Sequence, residues 1–275
     1  MNASIAAAEQ TIGKHVRNWR QRRRLSQLAF ALDVNISQKH LSFIESGRSS
    51  PSREMVLRLA EHLKVPLRER NVMLLAAGYA PIFPERLLDD PALRAARTAI
   101  DLVLKAHEPF PAIAIDRHWT LVASNAVVPA LLELIEDKTL LNPPVNVLRL
   151  SVAPGGLAPH IVNFPEWRAH LLARLRHQID VTADQKLELL LEDLQSYPLP
   201  VSPAIESAPT SELANIVVPF CLNTPGGIMS FLSTTTVFGT PVDVTLSELA
   251  LEVFFPADKS TAEALHAIMA DRATP

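Results

Sequence analysis

Residues 31–48 read ALDVNISQKHLSFIESGR, and the spacing within this stretch is what two short helices crossing at a sharp turn require. Ala31 is small where the helices approach most closely. Asn35 stands four residues on, where the chain must enter the left-handed region, and Ile36, Leu41 and Ile44 are apolar at the inward positions. The polar residues between them face outward, so Ser37, Gln38, Lys39 and Ser42 form the exposed N-terminal face of the second helix. In a helix-turn-helix this second helix enters the major groove of DNA. The residue types suit that place: Gln pairs bidentately with adenine N6 and N7, Lys reaches guanine O6 and N7, and Ser serves base or phosphate. Gln27, opening the preceding helix, is placed to donate to a phosphate at the positive helix end. Arg48 and Arg53 flank the loop after the second helix and read as backbone or minor-groove contacts. Phe43 reads either as a DNA-facing group or as a packing partner of a neighbour.

Outward from this stretch, Ile12 to Tyr79 divides into five helical segments. Ile12, Val16 and Trp19 repeat at one helical face; Ser26 caps QLAFALD; a third helix runs from Ser37 to Gly47. Ser52 caps REMVLRLAEHL, with Glu54 in its first turn, and Pro66 opens a fifth helix that ends at Gly78. The run Arg22-Arg23-Arg24 reads first as a solvated face. YAPIFPERLLDDP, dense in proline, marks a boundary, giving domains 1–84 and 85–275.

Charge divides the same way. The net of −3 conceals 13 Lys+Arg against 6 Asp+Glu in residues 1–80, and 13 against 23 in residues 81–275. A basic module on an acidic remainder implies a polyanion partner, a double-stranded DNA operator, for the first part only. Cys221 is the one cysteine, no apolar run reaches the ~18 to 20 residues of a membrane span, and the first residues lack a secretory apolar core, so a cytoplasmic location is expected. The nine histidines are scattered without chelating spacing, so no metal and no cofactor are expected.

In the second part, residues 91–107 read as a helix, and PAIAID and HWTLVAS as strands joined by a tight turn at Asp116-Arg117. Amphipathic helices follow at Pro165–Asp180 and Thr182–Gln195, then the proline-rich loop YPLPVSPAIESAPTSE. Three further strands, LANIVVPFCL, GGIMSFLSTTTVF and ELALEVFFP, complete the pattern, the last alternating as a strand with one wet face does. Five strands with helices between them give an α+β domain.

The region Ile12–Leu63 resembles the lambda-repressor-like (XRE) helix-turn-helix family across an all-α five-helix domain, with two departures: Arg24 and Asn35 stand where members often have Gly. The resemblance implies an Arg20–Glu45 ion pair tying the first helix to the third. PSREMVLRLAEHLKVPLRERNVMLLAAGYAP, IDRHWTLVASNAVV and FGTPVDVTLSELALEVFFPAD are similar to the MmyB-like transcriptional regulators. That similarity implies a PAS-like ligand-binding domain fused to the reader, with an antiparallel sheet of about five strands, working as a homodimer.

Trp119, Trp167, Phe220, Phe231 and Phe254 are the candidate pocket residues, because a sheet covered by helices could enclose them; each reads equally as ordinary core. The apolar abundance favours a small hydrophobic or fatty-acyl-like molecule. A dimerisation or protein-interaction module without a small-molecule ligand is the alternative. No G-x-S-x-G elbow, P-loop or H-E-x-x-H occurs, TPGGIM reads as a hairpin turn, and Cys221 has no motif partner, so an enzyme is not expected.

Overall fold

The computed structural model describes residues 11–199 and 217–273. Two compact units emerge. Residues up to Arg86, with Ile179–Gln185 and Pro241–Ser247, form one; Leu87–Gln178, Lys186–Thr240 and the chain from Glu248 form the other.

The first unit holds five helices: α1 (Ile12–Arg22), α2 (Gln27–Asp33), α3 (Gln38–Glu45), α4 (Arg53–His62) and α5 (Leu67–Ala76). Three start on serine caps. Ser26, Ser37 and Ser52 accept from the amides of Ala29, His40 and Met55 at 3.0, 3.1 and 3.2 Å, each cap stabilising its helix by about 1 kcal/mol. Between helices the chain reverses through left-handed residues, Arg24 (φ 56°), Asn35 (φ 55°) and Gly47 (φ 75°). Arg24 adopts that conformation although its Cβ disfavours it by roughly 1–2 kcal/mol. Val16, Trp19, Phe30, Leu41, Ile44, Val56, Leu59 and Leu63 fill the core. A contact unforeseen from periodicity brings α1 against the end of α3: a Cβ on Gly13 would lie 2.3 Å from the Ile44 carbonyl oxygen, so only glycine allows this approach.

Arg23 departs from the solvated-face reading of its arginine run. Its guanidinium donates to the carbonyls of Leu63 (2.9 Å) and Lys64 (3.2 Å) at the end of α4, and to those of Asp180 and Val181 (3.4 and 3.2 Å). A cation over helix C-terminal carbonyls satisfies acceptors that the helix leaves open.

The second unit is α+β. A 3₁₀ turn (Pro91–Leu93) leads into α6 (Arg94–Ala106), then β1 (Ala112–Ile115), β2 (Leu121–Ser124), α7 (Val128–Leu132), α8 (Val147–Val152), α9 (Phe164–Thr182) and α10 (Gln185–Ser196). The last residues of α9, from Ile179, are counted with the first unit. After β3 (Phe220–Thr224) and β4 (Gly227–Val237), the short α11 (Val244–Ser247) belongs to the first unit, and β5 (Ala250–Pro256) and α12 (Lys259–Ala273) end the described chain. The sheet is antiparallel throughout, in the order β2-β1-β5-β4-β3. β5 lies at its centre, Ala112 opposite Val253 on one side and Thr234 opposite the same residue on the other.

Four readings from sequence change here. β5 does not alternate between a dry and a wet face along its middle: Leu251, Glu252 and Val253 are all buried, Glu252 meeting Arg174 of α9 at 2.5 Å, and Phe255 near its end is exposed. The link after β1 is longer than a two-residue turn. The Asp116 carboxylate accepts from the amides of His118 and Thr120, both at 2.8 Å, and holds Trp119 at φ 65°, so β2 begins only at Leu121. α7, α8 and α12 were not anticipated; Asp258 Oδ1 caps α12 by accepting from the Thr261 amide at 2.7 Å. Of the proline-rich loop and the start of LANIVVPFCL, residues 200–216 lie outside the described residues, and β3 starts at Phe220. TPGGIM does form a hairpin turn, Thr224 pairing with Gly227, which takes φ 114°. No described helix is long and apolar enough to cross a membrane.

Candidate nucleic-acid interface and ligand cavity

The outward side of α3 carries the residues singled out from the sequence. Gln38 and Lys39 are exposed on its first turn. Ser37 Oγ accepts the His40 amide, which leaves its proton free to donate. Ser42 and Phe43 are half-buried one turn on, and Arg48 and Arg53 are exposed beyond the helix. Phe43 gathers the cations: Lys39 Nζ lies 5.7 Å and Arg48 Cζ 5.4 Å from its ring centroid. The ring is thus both a packing partner and a neighbour of the outward face, and the cation–π contacts limit the freedom of two long side chains.

Behind this face lies a buried carboxylate. Arg20 and Glu45 meet in a bidentate pair, Nε to Oε1 at 2.6 Å and Nη2 to Oε2 at 3.0 Å, while Arg20 Nη1 donates to the Leu25 carbonyl at 2.7 Å. Their side chains are 9% and 2% exposed, so the pair is dry and ties α1 to α3. Gln27 belongs to the same group. Its Nε2 donates to Glu45 Oε2 at 2.8 Å, so one of the two amide protons read as available to a phosphate is engaged in the free protein: a buried charge recruits the nearest donor to complete its solvation. Arg17, largely exposed, stands 3.8 Å from the same carboxylate.

In the second unit an apolar cavity of about 90 Å³ lies between the sheet and its covering helices. Trp167, Phe220, Phe231 and Phe254 line it as a contiguous aromatic wall, with centroids 4.9 Å apart for Trp167–Phe220 and 5.8 Å for Phe220–Phe231. Trp119 does not, which corrects its place among the pocket candidates. Held in the turn after β1, it donates from Nε1 to Gln178 Oε1 at 2.7 Å and stacks under the Arg174 guanidinium, 4.9 Å away. Both partners come from α9, so the indole joins a polar seam instead of the apolar interior. The rest of the wall includes Val128, Leu131 and Leu132 of α7, and Val147, Leu150 and Ser151 of α8. These were missed, although VVPALLELI and VNVLRLSV both space them at i, i+3 and i+4.

Two groups near the cavity are shifted from their ordinary titration. Burial first, and then the Arg174 guanidinium, hold His170 below the usual histidine value of 6.5. Burial pushes the Cys221 thiol up, so it is an inert core thiol, 2% exposed.

A helix-turn-helix family model matches residues 16–70, covering most of the five-helix unit, and the model of the MmyB-like transcription regulator ligand binding domain matches residues 96–268. A search of curated proteins returns no match. The second match spans more than half of the chain, which therefore belongs to the MmyB-like transcription regulators, DNA-binding proteins that join a helix-turn-helix reader to a ligand-binding domain.

Proposed function

We propose that the chain is a cytoplasmic, ligand-responsive, sequence-specific regulator that binds a two-fold operator as a homodimer and changes its affinity when its cavity takes up a small hydrophobic molecule. The observation that carries this is one chain holding both an outward helix face set with Gln38 and Lys39 and an apolar cavity whose wall includes four aromatic rings. On this reading Gln38 and Lys39 meet base edges, Ser37 and Ser42 meet base or phosphate, and Arg48 and Arg53 meet the backbone or the minor groove. The cavity is smaller than the ~150 Å³ engineered cavity that takes up benzene. It therefore suits a compact body, and a long fatty-acyl chain requires the aromatic wall to move.

Selection of genomic fragments on the purified full chain, followed by footprinting, tests the DNA half of the reading. Half-sites separated by about one helical turn, ~10 to 10.5 bp, are expected; equal capture of all fragments overturns it. Native mass spectrometry of the protein purified from its host tests the other half. A reproducible bound mass per subunit is expected, and its absence together with a stable dimer favours a dimerisation module.

A further inference from the structure

The strand β4 outruns its neighbour β3. Their ladder ends at Phe220 opposite Phe231, whereas β4 continues along β5 from Leu232 opposite Phe255 to Val237 opposite Ala250. Successive residues of an antiparallel strand turn their amide and carbonyl alternately to its two edges. Ser230 turns to the β5 edge, where its carbonyl accepts the Ala257 amide at 2.8 Å, so Ser233, Thr235 and Val237 turn theirs to the opposite edge. No described residue pairs with that edge. The chain leading into β3 leaves it: Pro219 has no amide, its carbonyl accepts from Asn163 Nδ2 at 2.8 Å, and the described Val217 and Val218 lie outside any strand. The outer edges of β3 and β2 are served, by the Val162 amide on the Cys221 carbonyl (2.9 Å) and by the Val145 carbonyl on the Leu121 amide (2.8 Å).

Open edges ordinarily carry a lysine, a proline or a bulge that stops another strand from joining them. Residues 232–237, LSTTTV, carry no charge and no proline, and they pair with β5 without a break in register. Thr234, Thr235, Thr236 and Val237 are exposed, and β-branched side chains favour the extended backbone that strand pairing needs. The run Thr234-Thr235-Thr236 also reads the same in both directions. A two-fold axis at Thr235 sets this residue opposite itself and Ser233 opposite Val237, so the outward amides and carbonyls of both copies meet in register and no like charges face each other along the strand. Arg174, which donates to Thr235 Oγ1 at 3.0 Å, also donates to Glu252 at 2.5 Å. The axis therefore brings together two ion pairs, not two bare cations.

We propose that residues 233–237 of β4 are a homodimer contact, pairing antiparallel with the same residues of a second copy about an axis at Thr235, so that one sheet runs through both subunits. This rests on the homodimer reading above and names its surface.

The test is sedimentation equilibrium of the full chain and its variants. The native chain should be a dimer. Thr235→Pro removes an outward amide and leaves the β5 ladder intact, so it should fold yet weaken the dimer roughly tenfold or more, one donor being lost from each copy. If that variant does not fold, charges decide: Ser233→Lys with Val237→Lys should dissociate the dimer, and Ser233→Lys with Val237→Glu should restore it, because these positions face each other across the axis. Amide exchange adds a readout along the strand. The amides of Ser233, Thr235 and Val237 should be protected in the dimer and lose protection on dilution to the monomer, while those of Thr234 and Thr236, turned to β5, stay protected at both concentrations. A folded Thr235→Pro variant that dimerises as tightly as the native chain, or lysine variants that do so, overturns the edge pairing and leaves the homodimer reading standing. Protection of the outward amides that ignores dilution assigns the edge to another segment of the same chain and also overturns it. A native chain that is monomeric at all concentrations removes the homodimer reading, and the proposal with it.

Discussion

In the first unit the buried Glu45 carboxylate receives two hydrogen bonds from Arg20 and a third from Gln27; in the second the buried indole Nε1 of Trp167 has no partner among the described residues. Glu45 lies on the inward side of α3, opposite its exposed face, and Trp167 belongs to the wall of the cavity. A reader that must present α3 to DNA in one orientation gains from a crossing point of α1 and α3 fixed by a charge-assisted fork and by the close approach at Gly13. The cavity of the second unit is walled by rings and aliphatic side chains, without any such charged tie among the described residues that line it.

The largest expected effect falls on the partnered side. Glu45→Leu strands the Arg20 guanidinium and Arg20→Met strands the Glu45 carboxylate, so each should destabilise the first unit by about 3–5 kcal/mol, while the double variant loses less than the sum. Urea unfolding of the full chain measures all three. Single losses under about 1 kcal/mol would mean that water reaches the pair, and the contrast between the two units would dissolve.

Next come the outward residues. Gln38→Ala or Lys39→Ala should cost about 1–3 kcal/mol on the selected operator and leave random DNA nearly unaffected. Gln27→Ala should act differently, losing about 1.5–3 kcal/mol of unfolding stability through its bond to a charged group and little specificity. Anisotropy titrations beside unfolding curves separate the two. Equal loss on specific and random DNA for Gln38 and Lys39 would remove their base-reading role.

Phe43→Ala should free Lys39 and Arg48 and lower operator affinity by about 0.5–1 kcal/mol, the range of an exposed cation–π contact. Competition titration at fixed salt reads this, and unchanged affinity would show that the two cations need no help from the ring.

The smallest effect belongs to the sensor side and depends on pH. The folded chain favours neutral His170, so below the ordinary value of 6.5 the unfolded chain binds more protons than the folded one. Stability contributed by this residue is therefore present above that pH and declines as the pH falls from 6.5 toward the depressed folded value. Melting temperatures across the range should show the decline, and His170→Phe should flatten part of it. An identical pH profile in the variant would assign the decline to other groups.

How much of this was readable in advance differs between the units for a physical reason. Helix starts in the first unit are local events: Ser26, Ser37 and Ser52 lie three residues before the amides they cap, so a linear scan finds them. Asn35 likewise advertises the left-handed turn that it makes. In the second unit the strands were visible as apolar runs, but Trp119 was misplaced because its fate depends on an Asp116 side chain folding back on the turn and on Gln178, fifty-nine residues away. The α7 and α8 walls of the cavity carried a helical spacing that was present but unread.

Taken by itself, the sequence determined a helix-turn-helix, its outward polar face, an acidic α+β remainder and the aromatic residues available to it, since all of these follow from spacing, capping and composition. Only the tertiary structure decided how the buried polar groups are served. It joined Gln27 to the Glu45 carboxylate, paired the buried Glu252 of β5 with Arg174, drew Trp119 to α9 and left the Trp167 Nε1 without a partner among the described residues. Partnering inside a core depends on which groups from distant segments arrive within ~3 Å of one another, and spacing along the chain does not carry that distance.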